Sequence, residues 1–348
     1  MRARILAGVL AALLLAACGG AEVVDTSGGG AGSEGASTDG GDDGGALTIA
    51  VVPKAIGFDF WEQVRLGAEC AAERAGEDGR EVQIQWDGVT AETDVTGQVN
   101  LLQNFVTQGV DGLVFAATDA AVLADVSDQA IAAGIPTVNV DSGTDPQPDE
   151  VPVFATDNVA GAEQAADFLA DALGPEGGPI AFIPFQPGTV TNDQRTEGFR
   201  NGLEAHPELD LVAEQSSQSD QATALQVTED ILTANPALRG IFAANEPGVL
   251  GAVEAVRNAG RDGEITVIGW DASPDQIAAL EDGVITALVV QNPFRMGFDG
   301  VNAVLAKIDG EDVASGDTGV TYVTQENLED EDVQATLAPT CETFEVGP

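Results

Sequence analysis

Four polar residues follow apolar runs that read as strands. Asp141 follows Pro136–Val140, Asn245 follows Gly240–Ala244, Asp271 follows Ile265–Gly269 and Trp270, and Gln291 follows Thr286–Val290. Asp193 and Arg195 open a helical segment, and Lys54, Phe58, Phe60 and Trp61 follow the run Leu47–Val52. A carboxylate accepts from two neighbouring hydroxyls, and a guanidinium donates in a planar fork. Flat aromatic faces cover the C–H side of a sugar ring. Together these groups could hold a polyhydroxylated small molecule. Each also has a plainer reading. An Asp at a strand end is often the N-cap of the next helix. Asn245, two residues before Pro247, suits a turn, and Phe60 and Trp61 suit a core. Arg195 has many acids to pair with. Lys54 is either a cleft residue or a solvated charge, but the chain has only two lysines, and this one stands at a strand exit.

Catalytic signatures are missing. No Gly-x-Gly-x-x-Gly follows a strand, and there is no Gly-x-x-x-x-Gly-Lys-Ser/Thr or Gly-x-Ser-x-Gly. The one histidine, His206, precedes Pro207 near a predicted helix end and reads as a surface cap. A single histidine without clustered cysteines argues against a transition-metal site. Neither a catalytic residue, a metal nor a cofactor is expected.

Strand-like runs and amphipathic helical runs alternate from Leu47 to Thr324. The first series has strands at Leu47–Val52, Glu81–Trp86, Gly112–Ala116 and Pro136–Val140, with helices at Phe60–Ala75, Glu92–Gln108 and Ala120–Ala133. The second follows helix Asn158–Leu173, with strands at Ile180–Phe185, Leu209–Glu214, Gly240–Ala244, Ile265–Gly269 and Thr286–Val290. Helix Gly297–Ile308, strand Val320–Thr324 and an acidic tail end the chain. Strand–helix repeats of this length imply parallel sheets with right-handed crossovers. The expected fold is α/β: two similar doubly wound lobes with a ligand cleft between them. Ligands bind beyond the carboxyl ends of such strands, which is where the polar residues stand.

The chain has 348 residues, 13 basic and 58 acidic, for a formal net charge of −45. That balance repels nucleic acid and anionic lipid headgroups. Arg2 and Arg4 precede the apolar stretch Ile5–Ala17, a pattern of secretory signals. Leu15-Ala16-Ala17-Cys18 resembles a bacterial lipobox, with Cys18 lipidated. The Gly-, Ser- and Asp-rich stretch that follows reads as a flexible tether, with a reach of roughly 30 Å. The expectation is residues 1–17 as signal peptide and 18–46 as tether, on an exported, membrane-anchored lipoprotein. Outside the cytoplasm, Cys70 and Cys341 form either a disulfide or two separate buried thiols.

Several segments resemble the type I periplasmic-binding family, in its ribose-type branch. They are Thr48–Val52 with Phe60-Trp61, Gln108–Leu113, Gly134–Val138 with Asp141, Asp157-Asn158, Arg195–Phe199 and Val267–Asp271. The resemblance implies a non-enzymatic monomer that closes two lobes around a sugar or similar polyol and delivers it to an ABC permease. It implies ring stacking by Phe60 and Trp61 and hydroxyl binding by Asp141 from the first lobe. Arg195, Asn245 and Asp271 would bind from the second lobe, and Gln291 beside the hinge. It further implies a three-strand hinge near Ala155–Thr156, Gln291–Asn292 and Gly319–Thr321. The first lobe would hold 47–156 plus 291–319; the second would hold 157–290 plus 320–348 with the tail. Two positions depart from the ribose pattern: Ser142 stands where those members carry Arg, and Ser219 where they carry an aromatic. Val52-Pro53-Lys54 and Asp193-Gln194 instead resemble the autoinducer-2-binding branch. A sensory protein read by a receptor is therefore the alternative function.

Overall fold

A computed structural model describes residues 45–345. The expected signal peptide, most of the tether, and Cys18 lie outside the described residues. The first series forms β1 (Leu47–Val52), α1 (Asp59–Glu77), β2 (Val82–Trp86), α2 (Val95–Gln108), β3 (Gly112–Phe115), α3 (Ala120–Ala132), β4 (Thr137–Val140) and β5 (Val153–Ala155). The second forms α4 (Asn158–Leu173), β6 (Gly178–Ile183), α5 (Val190–Ala205), β7 (Leu209–Glu214), α6 (Gln221–Ala234), β8 (Gly240–Ala243), α7 (Glu246–Asn258), β9 (Thr266–Trp270), α8 (Pro274–Glu281) and β10 (Ala287–Gln291). The remainder is α9 (Pro293–Ile308), β11 (Gly316–Asp317), β12 (Val320–Val323) and α10 (Glu331–Leu337).

Two six-stranded sheets result, in the orders β11-β5-β4-β3-β1-β2 and β12-β10-β9-β8-β6-β7. Strands pair in parallel throughout, except that β12 runs antiparallel to β10. The expected two-lobed α/β architecture is borne out. β3, β4, β8 and β10 are buried along their whole length, as helices on both faces of a parallel sheet require. The strand order reverses beside β1 in one sheet and beside β6 in the other. Such switch points open a crevice at the carboxyl ends of the strands. Lys54 and Asp141 emerge on one side of it, and Phe185, Asn245 and Asp271 on the other.

The last turn of sheet-to-sheet traffic explains how the lobes are joined. The chain leaves the first sheet between Ala155 and Asn158, returns between Gln291 and Pro293, and leaves again between Asp317 and Val320. Gly319, at φ 86°, turns the last of these crossings. Helix α9 lies against α1 at a contact only glycine permits. A Cβ on Gly67 would stand 1.9 Å from the Phe294 carbonyl oxygen, and one on Gly297 would stand 1.9 Å from that of Val64.

The sequence reading needs three corrections. Helix α9 starts at Pro293 and not at Gly297, because proline fits the first turn of a helix, where its missing N–H is not needed. Glu92 does not open α2. It sits in the preceding turn, and Asp94 caps the helix. The tail does not stay with the second lobe. After α10 it returns to the first, where Cys341 is disulfide-bonded to Cys70 of α1 and Phe344 packs on Phe294 and Phe298. Arg74 donates to the carbonyls of Cys341 and Phe344. Disulfides of this kind typically contribute about 2–4 kcal/mol. Cys341→Ser is expected to lower the thermal midpoint under non-reducing conditions and to abolish its sensitivity to reductant. An unchanged midpoint contradicts this.

Candidate functional site

The site forms where strands end and the backbone turns. Asp141 follows β4 at φ 59° and Asp271 follows β9 at φ 75°. Aspartate is among the few side chains found in that left-handed region. Both residues remain tied to a neighbouring strand: Asp141 N–H donates to Phe154 O and Asp271 N–H to Val289 O, each at 2.9 Å. Their side chains face one small cavity, of about 20 Å³, between the lobes. All the sequence-predicted site residues line it except Asp193.

Pro53 ends β1, and Lys54 turns inward, 3% exposed. Its Nζ stands 2.8 Å from Asp141 Oδ2 and donates to Thr191 Oγ1 at 3.0 Å. The solvated-charge reading of Lys54 is thereby excluded. Arg195, 2% exposed, donates through Nε to Asn158 Oδ1 at 2.8 Å and through a terminal nitrogen to Ala244 O at 2.7 Å. Its guanidinium lies 4.1 Å from the Trp270 ring centre and 5.0 Å from that of Phe185. Burial pulls the Arg195 pKa down, and Asp271, Asp141 and Glu92 oppose the shift.

Asp271 accepts from Gln291 Nε2 at 2.8 Å and from the Glu246 N–H at 3.0 Å. Ser273, not Asp271, caps α8. Asn245 caps a helix instead of serving as a turn residue. Its Oδ1 caps α7 at Gly248, and its Nδ2 donates to Ser219 Oγ at 3.1 Å. Ser219 in turn donates to Glu92 Oε2 at 2.6 Å. A polar pair thus stands where the ribose-type pattern has an aromatic. Burial pushes the carboxyl pKa of both Asp271 and Glu92 up; Arg195 opposes this at Asp271 and Lys54 at Glu92.

Asp193 does not join the site. Thr191 and Arg195 are one helical turn apart and face inward, so the residue midway between them faces out. Asp193 is exposed, beside Thr196, Glu197 and Arg200. Conversely, Glu92, Thr191, Phe185, Glu246 and Pro247 were not anticipated. Only Thr191 left a usable signal, its spacing of four from Arg195. His206 lies apart from the site at the end of α5, with Nε2 2.7 Å from Asp167.

The cavity offers four carboxyl groups, Glu92, Asp141, Glu246 and Asp271, against two cations, Lys54 and Arg195. Ligand hydroxyls could donate to carboxylate oxygens and accept from Lys54 and Arg195. Among the described residues, no group of three or more His, Cys, Asp or Glu could hold a metal ion. A family model described as a periplasmic binding protein domain matches residues 49–312.

The chain belongs to the periplasmic binding protein family. This periplasmic binding protein is 33% identical over 250 residues to the ribose import binding protein RbsB of Bacillus subtilis (strain 168), covering 72% of this chain and 78% of the relative. It is 31% identical over 266 residues to the D-allose-binding periplasmic protein of Escherichia coli (strain K12), covering 75% and 84%. A solved carbohydrate transporter solute-binding protein from Agrobacterium radiobacter, in complex with D-arabinose, superposes with a TM-score of 0.80 at 33% identity. That match covers 84% of this chain and 99% of the other. These relatives are binding proteins, and the family is not enzymatic. Among the described residues, no helix of this periplasmic binding protein is long and apolar enough to cross a membrane.

Proposed function

We propose that the chain is an extracytoplasmic substrate-binding lipoprotein of an ABC importer. It binds a monosaccharide or similar polyol by closing its two lobes, and delivers it to the permease as a monomer held to the membrane through Cys18. The observation that carries this reading is the cavity between the lobes. Aromatic faces from Phe60 and Trp61 meet carboxylates at Asp141 and Asp271 and donors at Lys54, Arg195 and Asn245. The ligands in the names of the relatives, ribose, allose and arabinose, are of that chemical class.

Titration calorimetry with D-ribose, D-allose, D-arabinose and xylitol tests the reading. Saturable 1:1 binding of at least one is expected, with a matching rise in the thermal midpoint, since a ligand of the native state stabilises it. Absence of binding to all four would remove the sugar assignment. The sensory alternative draws on Lys54, which belongs to the autoinducer-2-like motif and lies in the cavity. Asp193, from the other such motif, lies outside it. Binding of autoinducer-2 with no binding of the sugars would favour that alternative.

A further inference from the structure

We propose that Glu246 helps fasten the second lobe onto the first by capping helix α1 from across the cleft. The inference rests on the two-lobe closure reading above and adds a positioning residue that contacts protein rather than ligand.

The first N–H groups of a helix have no partners within it and need outside acceptors. Helices α2 to α9 each supply one from the N-cap side chain: Asp94, Asp119, Asp157, Thr189, Asp220, Asn245, Ser273 and Asn292. Helix α1 does not. Its N-cap is Phe58, which has no acceptor in its side chain. Glu246, at the start of α7, fills the gap. One carboxylate oxygen accepts from the Asp59 N–H at 3.2 Å and the other from the Phe60 N–H at 3.0 Å. A carboxylate also complements the positive end of the helix dipole.

Glu246 is itself positioned from the site. Gln291, beside a lobe crossing, donates to Asp271, and Asp271 accepts the Glu246 N–H. Movement of Asp271 on meeting a ligand therefore acts on the backbone that aims the Glu246 side chain. Of the other polar contacts between the lobes, Lys54 with Thr191 and Ser219 with Glu92 involve groups a ligand can compete for, while the Ala120 N–H donates to the Gly188 carbonyl at 2.8 Å away from the cavity lining. Those of Glu246 use backbone N–H groups of α1. Glu246 also lines both the site cavity and a neighbouring larger groove of about 380 Å³, which Asp59, Gln63 and Ser273 line as well. Parting of the lobes there would open the cavity to solvent. Burial pushes the Glu246 carboxyl up to about 7; the Phe60 N–H opposes this, and Asp271 adds to it.

The test compares wild type with Glu246→Gln and Glu246→Ala, with thermal midpoints of the sugar-free proteins as a folding control. Amide hydrogen exchange is followed over the first turn of α1, without sugar and with saturating D-ribose or D-allose. Faster exchange at Asp59 and Phe60 is expected in Glu246→Ala, and a smaller change in Glu246→Gln, which keeps one acceptor oxygen. For any panel sugar that binds, dissociation followed by tryptophan fluorescence should quicken on the order of tenfold or more in Glu246→Ala, with little change in association. Wild-type exchange at α1 in both variants, with and without sugar, overturns the proposal. Lack of binding to every panel sugar overturns the sugar reading instead, and leaves the exchange result to decide the role of Glu246.

Discussion

Asp141→Asn is expected to weaken binding of the tightest-binding panel sugar by about 3–5 kcal/mol, the usual cost of removing one partner of a buried ion pair. In affinity that is roughly two to three and a half powers of ten. Asparagine keeps the shape and tolerates the φ of 59°, so backbone strain does not confuse the result. Two losses add. A ligand hydroxyl loses its anionic acceptor, and Lys54 loses the charge 2.8 Å from its nitrogen. Arg195, 3.9 Å from the same carboxylate, loses part of its compensation as well. In an open cleft water can reach Lys54, so the thermal midpoint of the sugar-free protein should change little. Calorimetry on the variant decides the matter. Unchanged affinity would mean that Asp141 serves only Lys54 and does not meet the ligand.

The fold was legible because its signals are long and redundant. Apolar runs such as Leu47–Val52 and Thr286–Val290 lack a polar alternation, so they read as strands of a covered parallel sheet without tertiary information. Once the strands were known, the switch-point rule placed the residues after them at the crevice, and most candidates followed by position alone. Asp193 failed because counting along a chain says which helix a residue occupies and not which face. That face is fixed by packing: Gly198 and Gly202 let α5 lie against Val159 and Glu163 of α4, and Thr191 and Arg195 turn inward with Phe199.

Glu92 and Glu246 were illegible for a different reason. Among 58 acidic residues, no local feature separates a buried carboxylate from a solvated one. What distinguishes Glu246 is an absence elsewhere, the uncapped start of α1, and that appears only when the two lobes are seen together. What distinguishes Glu92 is Ser219, far along the chain and in the other lobe. The return of the tail to α1 was equally hidden. A pair of cysteines gives a possible bond, but only the position of α10 shows that the chain can reach it.

Lys54→Met is expected to weaken binding by about 1.5–3 kcal/mol, the range for hydrogen bonds to charged groups. Methionine keeps the length and apolar stem of the side chain, so packing against Trp61 and Phe185 is largely retained. An ammonium only donates, and the carboxylates of Asp141 and Asp271 only accept. A ligand that satisfies all three therefore presents an acceptor, such as a ring oxygen or carbonyl, beside vicinal hydroxyls. A hydroxyl oxygen also accepts, so every panel member can meet the ammonium and the variant should weaken each one that binds. At 3% exposure Lys54 is not a rim charge, and its removal should alter affinity at moderate salt as well as at low salt. Equal affinities for wild type and variant across the panel would sink this reading. The double variant with Asp141→Asn gives a sharper test. If the ammonium and carboxylate act on the ligand as one paired unit, the double variant loses less than the two single losses combined, because each single variant leaves an unpaired charge behind. Strict additivity would mean that the two groups meet the ligand independently, despite their 2.8 Å separation.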